Sequence, residues 1–276
     1  MIDLHAHTTQ SDGTLTPEEL VSEAMRLGLE ALAITDHDTF DGYDQAAKLA
    51  KHIELVCGIE LSTNWESRSV HLLAYFPDRD PGSDFRAWVS ALSETRWVRN
   101  RSLVETLRNR GFQIDLEYLS QRFGSRICRP HFAAAMIEKG YVASTQEAFE
   151  RYLGETGSCF VARDEPDCAD AISKIRSKGG VPVLAHPGRI ERDPSRFATC
   201  LDPMRRAGLL GLEAYHSDHT IEEQDGWAAL ARDRGLIATG GSDFHGANKP
   251  KVRLGTGVDG NVRVPYALLN QLRSIA

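Results

Sequence analysis

Short apolar runs and amphipathic stretches alternate at both ends of this chain, and their periods predict strands and helices in turn. Ile2-Asp3-Leu4-His5-Ala6-His7 opens it as a short buried strand. Thr16-Pro17-Glu18-Glu19 then reads as a helix start, with Thr16 as N-cap, Pro17 at the first helical position and Glu19 closing a capping box. Leu20, Val21, Ala24 and Leu27 form the apolar stripe of that helix, Gly28 stops it, and residues 29–35 follow at once as a second strand. The unit returns near the C-terminus as helix 170–178 and strand 181–185, helix 203–207 and strand 209–214, and helix 224–234 and strand 236–239. Such alternation predicts a parallel sheet wrapped by helices, with a strand number that periodicity alone leaves open.

Between residues 77 and 155 the buried strands disappear. A long arginine-rich helix over 85–110, with Trp88, Leu92, Val98, Leu103 and Leu107 as its inner face, precedes shorter helices over 116–123, 129–139 and 145–152. The chain therefore reads as an α/β barrel built from 1–76 and 156–276, interrupted by a helical insertion over 77–155 that forms a wall or lid of the site.

Charge and cysteine usage narrow the function classes. With 32 basic and 39 acidic residues the formal charge is -7, which argues against binding duplex nucleic acid. An anionic substrate stays compatible, because bound divalent cations reverse the field of one pocket. Cys57, Cys128, Cys159, Cys168 and Cys200 are odd in number and form no CxxC, so a reducing, cytoplasmic setting is expected. No signal segment or membrane span is expected either, and no feature points to an obligate protein partner.

The chemistry collects at strand ends. His5 and His7 share one side of an extended segment and can hold one ion between them. Acidic or histidine residues then recur at the ends of apolar runs, at Asp36-His37, Glu60, His71, His186 and Asp243-Phe244-His245. An isolated HxH is weak, but histidines placed for packing have no cause to gather at the same end of successive strands. For those ends to converge on one point, the sheet must close or nearly close into a barrel.

In this order the motifs His5-Ala6-His7, Ser11-Asp12-Gly13, Thr35-Asp36-His37-Asp38, Gly58-Ile59-Glu60, His71, His186-Pro187 and Ser242-Asp243-Phe244-His245 make the chain resemble the PHP (polymerase and histidinol phosphatase) superfamily. The resemblance implies metal-dependent phosphoesterase activity on a distorted (β/α)7 barrel of the PHP type. It further implies His5, His7, Glu60 and Asp243 on one metal, Asp12, His37 and His245 on a second, and Glu60, His71 and His186 on a third, with Glu60 bridging. Mixed imidazole and carboxylate ligation favours manganese, with zinc or iron as the other candidates. Three divalent ions carry about +6, and the three carboxylates offset about half, leaving a trap for phosphate and an acidified water as nucleophile. His245 or Asp36 is expected to assist proton transfer, Asp36 alternatively orienting a metal-bound imidazole.

Among the branches of that superfamily, His7-Thr8-Thr9-Gln10-Ser11-Asp12-Gly13-Thr14 and the insertion look most like stand-alone bacterial enzymes that remove phosphate from nucleotides or trim short oligonucleotides. The expected reaction removes the 3'-phosphate of a nucleoside 3',5'-bisphosphate, leaving the 5'-monophosphate. The alternatives are a 5'-to-3' exonuclease on short oligonucleotides, a histidinol phosphate hydrolase, and a non-catalytic metal-stabilised module; the last predicts missing ligands, and none of the nine is missing. Arg129 and His131, with Ser125, are expected to seat the uncleaved phosphate, His131 alternatively capping a helix. His216 is expected to touch phosphate or sugar, Asn64 and Trp65 to line the pocket, and His219 to face solvent.

Overall fold

The structure, a computed structural model, describes residues 1–50, 52–124 and 126–276. In chain order its elements are β1 (Ile2–Asp3), α1 (Pro17–Arg26), β2 (Ala31–Ile34), α2 (Asp41–Ala46), β3 (Glu54–Trp65), β4 (Arg68–Phe76), α3 (Ser83–Asn109), α4 (Leu116–Phe123), α5 (Arg129–Glu138) and α6 (Thr145–Ala148). There follow α7 (Cys168–Ser177), β5 (Val181–Leu184), α8 (Pro194–Arg206), β6 (Gly211–His216), α9 (Ile221–Asp233), β7 (Ile237–Gly241), β8 (Val252–Arg253), β9 (Gly257–Val258) and α10 (Ala267–Ile275). They form two compact units, Met1–Val89 with Glu165–Ala276, and Ser90–Asp164. The first boundary falls later than the predicted start of the insertion at 77, because α3 begins inside the first unit, where Phe85 packs against Phe76 with ring centroids 5.4 Å apart. The second falls after Asp164 rather than at the predicted 155.

In the first unit seven strands lie in the order β1-β2-β3-β4-β5-β6-β7. Beyond its two-residue strand, the β1 segment meets the end of β7: His7 N–H donates to Phe244 O at 2.9 Å and Asp243 N–H to His5 O at 2.8 Å, so the barrel is nearly closed. Backbones approach so closely at this seam that a Cβ on Gly241 would stand 2.3 Å from His5 N. Strand β2 shows how the sequence supports the layer. Ala31 and Ala33 pack with Val56 and Val183 in one cluster, while Leu32 and Ile34 pack with Leu20, Val21 and Ala24 of α1 in another. Burial on both faces produces the continuous apolar run seen in the sequence, each large side chain contributing ~1.5–3 kcal/mol. The predicted capping box of α1 forms, with Glu19 N–H on Thr16 Oγ1 at 3.2 Å and Thr16 N–H on Glu19 Oε2 at 2.8 Å.

One strand departs from the parallel prediction. β4 runs antiparallel to both β3 and β5, after a two-residue turn in which Glu66 and Ser67 take positive φ of 50° and 67°. Both signs suit a tight hairpin turn. Because β4 runs backwards, its opening residues, His71 among them, lie at the rim where the parallel strands end.

In the second unit, the later part of α3 packs with α4 and α5 around Leu103, Leu107, Leu119, Phe132 and Met136. The helix expected over 145–152 is α-helical only through Ala148 and continues as a π-helical turn over Phe149–Leu153. Val98, expected on the inner face of α3, is exposed; the inward stripe at that level is carried instead by Arg99 and Asn100.

Candidate metal centre

At the seam between β1 and β7 four donor atoms face one another. His5 Nε2 lies 3.2 Å from His7 Nε2, 3.4 Å from Glu60 Oε2 and 3.5 Å from Asp243 Oδ1. His7 Nε2 lies 3.2 Å from Glu60 Oε2 and 3.4 Å from Asp243 Oδ1. The other ring nitrogens fix the tautomers. His5 Nδ1–H donates to the Glu213 carboxylate at 2.8 Å. His7 Nδ1–H points to Ser11 Oγ at 3.3 Å, whose own proton goes to Asp36 Oδ1 at 2.6 Å. Two imidazole lone pairs and two carboxylate oxygens are therefore left aimed at one point, an arrangement that only shared cations or added protons can satisfy. The separations suit a cation: tetrahedral ligands about 2.0–2.2 Å from an ion stand about 3.3–3.6 Å apart.

A second group lies beside the first. His7, Asp12, His37 and His245 bring ligand atoms within 4.8 Å of one another. His245 Nδ1–H donates to Asp243 O at 2.8 Å, which leaves Nε2 facing Asp12 Oδ1 at 3.2 Å. Asp12 Oδ1 and His37 Nδ1 are buried without a hydrogen-bond partner among the described residues, as donors to an ion would be. On the far side of Glu60, Oε1 is 2.8 Å from both His71 Nδ1 and His186 Nε2, and Oε2 is 3.1 Å from His37 Nδ1. Glu60 thus has histidines on both oxygens, as a bridging carboxylate requires. His186 and Asp243 hold their places at positive φ, 28° and 54°, strain of the kind that clusters at functional sites.

Charges in the cluster are divided. Burial would raise Glu60, but the imidazoles of His37, His71 and His5 hold it well below the carboxylate range. Burial would likewise raise Asp12 and Asp243, which His245 and His37, and Lys249 and His5, respectively, hold low. Burial pushes His37 down to about 3, so it stays neutral. His7 goes the other way, up to about 9, because Asp243 and Glu60 outweigh its burial. Asp12, Glu60 and Asp243 are thus held ionised, burial pushes His37, His186 and His245 down, and protons are drawn to His5 and His7, a division of charge that suits ligands of a cation.

Several participants carry no motif. Glu213, fully buried on β6, accepts His5 Nδ1–H on one oxygen and the His186 backbone N–H, at 2.7 Å, on the other, tying β1 and β5 together. Asp3 accepts the N–H groups of His5, Ser242 and Gly255 and the Ser242 hydroxyl, fastening β1 to the loop that carries Asp243. Asp243 Oδ2 receives Arg189 Nη2 at 2.9 Å and Lys249 Nζ at 2.5 Å.

The remaining sequence expectations fare unevenly. Asp36 turns neither oxygen to the cluster. Thr8 N–H and the hydroxyls of Thr8 and Ser11 occupy them, and Ser11 Oγ in turn lies against His7 Nδ1. His216 is buried; its Nδ1 accepts Asp218 N–H, its Nε2 lies 3.2 Å from Asp243 Oδ2, and with His5 and Asp243 it brings ligand atoms within 4.8 Å of one another. His219, expected at the surface, is 2% exposed, with Nδ1 donating to Ala214 O. Asn64 and Trp65 sit at the hairpin tip: Asn64 Oδ1 accepts Ser67 N–H, and Trp65, odd in step from Glu60, projects from the opposite face of β3. In the helical unit His131 Nδ1 accepts Cys128 N–H at 3.0 Å and its ring stacks on Phe123, the cap alternative foreseen for it. Arg129 donates to Val161 O at 3.3 Å over the Phe160 ring. Ser125 lies outside the described residues.

Comparison with known proteins adds an independent view. The sequence pattern of the family described as PHP domain matches residues 3–177. A 5'-3' exoribonuclease of Haemophilus influenzae is 33% identical over 245 residues, covering 88% of this chain and 89% of that protein. A 3',5'-nucleoside bisphosphate phosphatase of Chromobacterium violaceum is 31% identical over 251 residues, covering 88% and 87%. Among solved structures, a Bifidobacterium adolescentis protein described as a metal-dependent phosphoesterase superposes with a TM-score of 0.84 at 30% identity, covering 100% of this chain and 96% of that one. No described helix is long and apolar enough to cross a membrane.

Proposed function

This chain belongs to the PHP domain family, and from that premise we propose that it removes the 3'-phosphate from nucleoside 3',5'-bisphosphates, giving nucleoside 5'-monophosphates. The observation that carries the hydrolytic part is the convergence of His5, His7, Glu60 and Asp243, whose inward atoms all carry a lone pair once the His5 and His7 rings are neutral. The nucleotide part is supported by the Chromobacterium relative's name and its even coverage of the two chains.

His5, His7, Glu60 and Asp243 would hold one divalent cation, Asp12, His37 and His245 a second, and Glu60, His71 and His186 a third, with manganese favoured. When bound, such cations acidify a water and offset the charge of a phosphoryl group. The chain's own part is to aim the donors. Glu213 sets the His5 ring, Asp36 acts through Ser11 on His7, and Asp3 holds both ligand loops in register. His245 has one nitrogen to offer; we assign it to the cation beside Asp12, which leaves it no separate proton-carrying role while that ion is held. Arg189 and Lys249 add positive charge at the outer oxygen of Asp243, on the side an anionic substrate would meet. Arg129 remains our candidate for the uncleaved 5'-phosphate. The five free cysteines, four of them buried, support a reducing, cytoplasmic setting.

A second reading, a 5'-to-3' exonuclease on short RNA, is favoured by the Haemophilus relative's name. The two separate in one assay. Inorganic phosphate release from adenosine 3',5'-bisphosphate is compared with mononucleotide release from a short 5'-phosphorylated RNA, after loading with manganese. The proposal expects the bisphosphate to turn over faster; mononucleotide release alone would transfer the assignment to the exonuclease, and neither product, with metal bound, would remove both.

A further inference from the structure

We propose that His219 is a positioning residue for the third cation: it holds the loop after β5 so that His186 presents Nε2 beside Glu60 and His71. The inference rests on the metal reading above and extends it to a side chain outside the proposed ligand set. His219 follows β6 and is 2% exposed, although its setting, Ser217-Asp218-His219-Thr220, reads as a polar turn. Both of its ring nitrogens are engaged. Nδ1–H donates to Ala214 O at 2.9 Å, so Nε2 carries the lone pair, and Nε2 accepts Gly188 N–H at 3.2 Å. Only a neutral imidazole satisfies both partners, and burial favours that state by holding His219 below the ordinary histidine range. The ring lies on Trp227 with centroids 5.8 Å apart and planes at 29°, and its backbone carbonyl accepts Asn261 Nδ2 at 3.0 Å. Fixed at ring and backbone alike, this side chain is a post rather than a mobile surface group.

The post stands against the loop that carries a ligand. His186 takes φ 28° and ψ 61°, a left-handed conformation that a residue with a Cβ keeps only where its surroundings impose it. Two acceptors from β6 and the turn after it impose it here. Glu213 accepts the N–H of His186 itself at 2.7 Å, and His219 accepts the N–H two residues on. Gly188 suits the second contact, since a Cβ there would stand 2.6 Å from His219 Nε2. The backbone on either side of the strained residue is thereby held, and His186 is left with Nε2 2.8 Å from Glu60 Oε1. Without the His219 acceptor, the Gly188 N–H is orphaned beside a closely packed ring. The loop then relaxes His186 toward an ordinary φ, which swings its imidazole away from Glu60. Glu213 cannot compensate, because it grips the N-terminal side of that torsion. Glu60 apart, the donors proposed for the other two cations follow β1, β2 and β7, so the loss is expected at one site.

The test compares the full chain with three variants. His219→Phe keeps a ring against Trp227, and His219→Asn can still donate to Ala214 O, but both lack the acceptor; His219→Gln can place Oε1 where Nε2 stands. In metal-free protein, exchange of the Gly188 amide, followed by NMR, should quicken about tenfold in His219→Phe and His219→Asn and stay within about threefold of wild type in His219→Gln. Manganese is then titrated calorimetrically, with anomalous diffraction to locate the ions. His219→Phe and His219→Asn should lose about tenfold in affinity at Glu60, His71 and His186 and hold the other ions within about threefold, with phosphate release recovering at saturating manganese. Unchanged Gly188 exchange, or faster exchange with every ion held as in wild type, would overturn the proposal. So would equal loss at all sites with a lowered melting temperature, which marks His219 as packing alone, and so would a His219→Gln variant as impaired as His219→Phe. Wild type that takes up no ion between Glu60, His71 and His186 removes the metal reading and the inference with it, a failure visible before any variant is compared.

Discussion

Replacing Glu213 by glutamine keeps the shape of a fully buried side chain and removes one charge. In the native fold its two oxygens accept His5 Nδ1–H at 2.8 Å and His186 N–H at 2.7 Å. An amide has one oxygen, so one of those buried donors must face an NH2 group. Losing a hydrogen bond to a charged group costs ~1.5–3 kcal/mol, and whichever donor is orphaned belongs to a residue assigned to a cation. If the amide oxygen stays on the backbone N–H of His186, the His5 ring loses the partner that fixes its tautomer and turns Nε2 inward. Loss of such an orienting group weakens metal affinity by ~10–100-fold, equivalent to about 1.4–2.7 kcal/mol. Competition against a chromophoric chelator, with manganese and with zinc, measures this directly, and circular dichroism melting confirms that Glu213→Gln is folded. A folded variant binding both ions within about twofold of wild type would refute the reasoning, and so would lost affinity in Glu213→Gln with phosphate release already normal at limiting metal.

Three further outcomes follow. Gly241→Ala drives a Cβ to 2.3 Å from the His5 backbone nitrogen, which cannot yield as a side chain can; the expected result is destabilisation of ~1–3 kcal/mol or more by urea melting, with metal lost in parallel. Cation binding should release protons at neutral pH, because His7 carries a proton up to about 9 in the metal-free fold. That raised value stabilises the metal-free protein fully below about 6.5 and fades as pH rises through about 9, so apparent metal affinity climbs over the same window; calorimetry in buffers of different ionisation enthalpy reads the release, and none detected would contradict the cluster. Arg129→Ala should raise KM for a 3',5'-bisphosphate about tenfold while sparing a 3'-monophosphate, as loss of a phosphate anchor does; an equal rise for both substrates would remove that role.

The barrel was legible because its signals are local. A capping box and glycine stop mark α1, and the continuous apolar runs mark strands buried on both faces. His5 and His7 were legible for the same reason, since their spacing alone puts two rings on one side. What stayed hidden depends on partners far away in the chain. Glu213 sits in Gly-Leu-Glu-Ala-Tyr-His, where an acidic residue looks like the polar step of an ordinary strand; only the 208-residue separation bridged by its bond to His5 gives it a role. The reversed direction of β4 turns on Glu66 and Ser67 taking positive φ, which neither residue type advertises. His219 and His131 look like solvent-facing or ligand histidines in sequence, yet one is packed against Trp227 and the other closes its own helix cap. Arg99 is the sharpest case. Within an arginine-rich helix it is indistinguishable from a solvated face until burial is known.

The most direct test of the central claim is anomalous diffraction at the manganese edge from crystals of the reconstituted protein. The account predicts three peaks, one among His5, His7, Glu60 and Asp243, one beside Asp12, His37 and His245, and one between Glu60, His71 and His186. Density confined to the protein surface, or a cluster whose imidazoles remain bonded to one another in the presence of saturating metal, would contradict it.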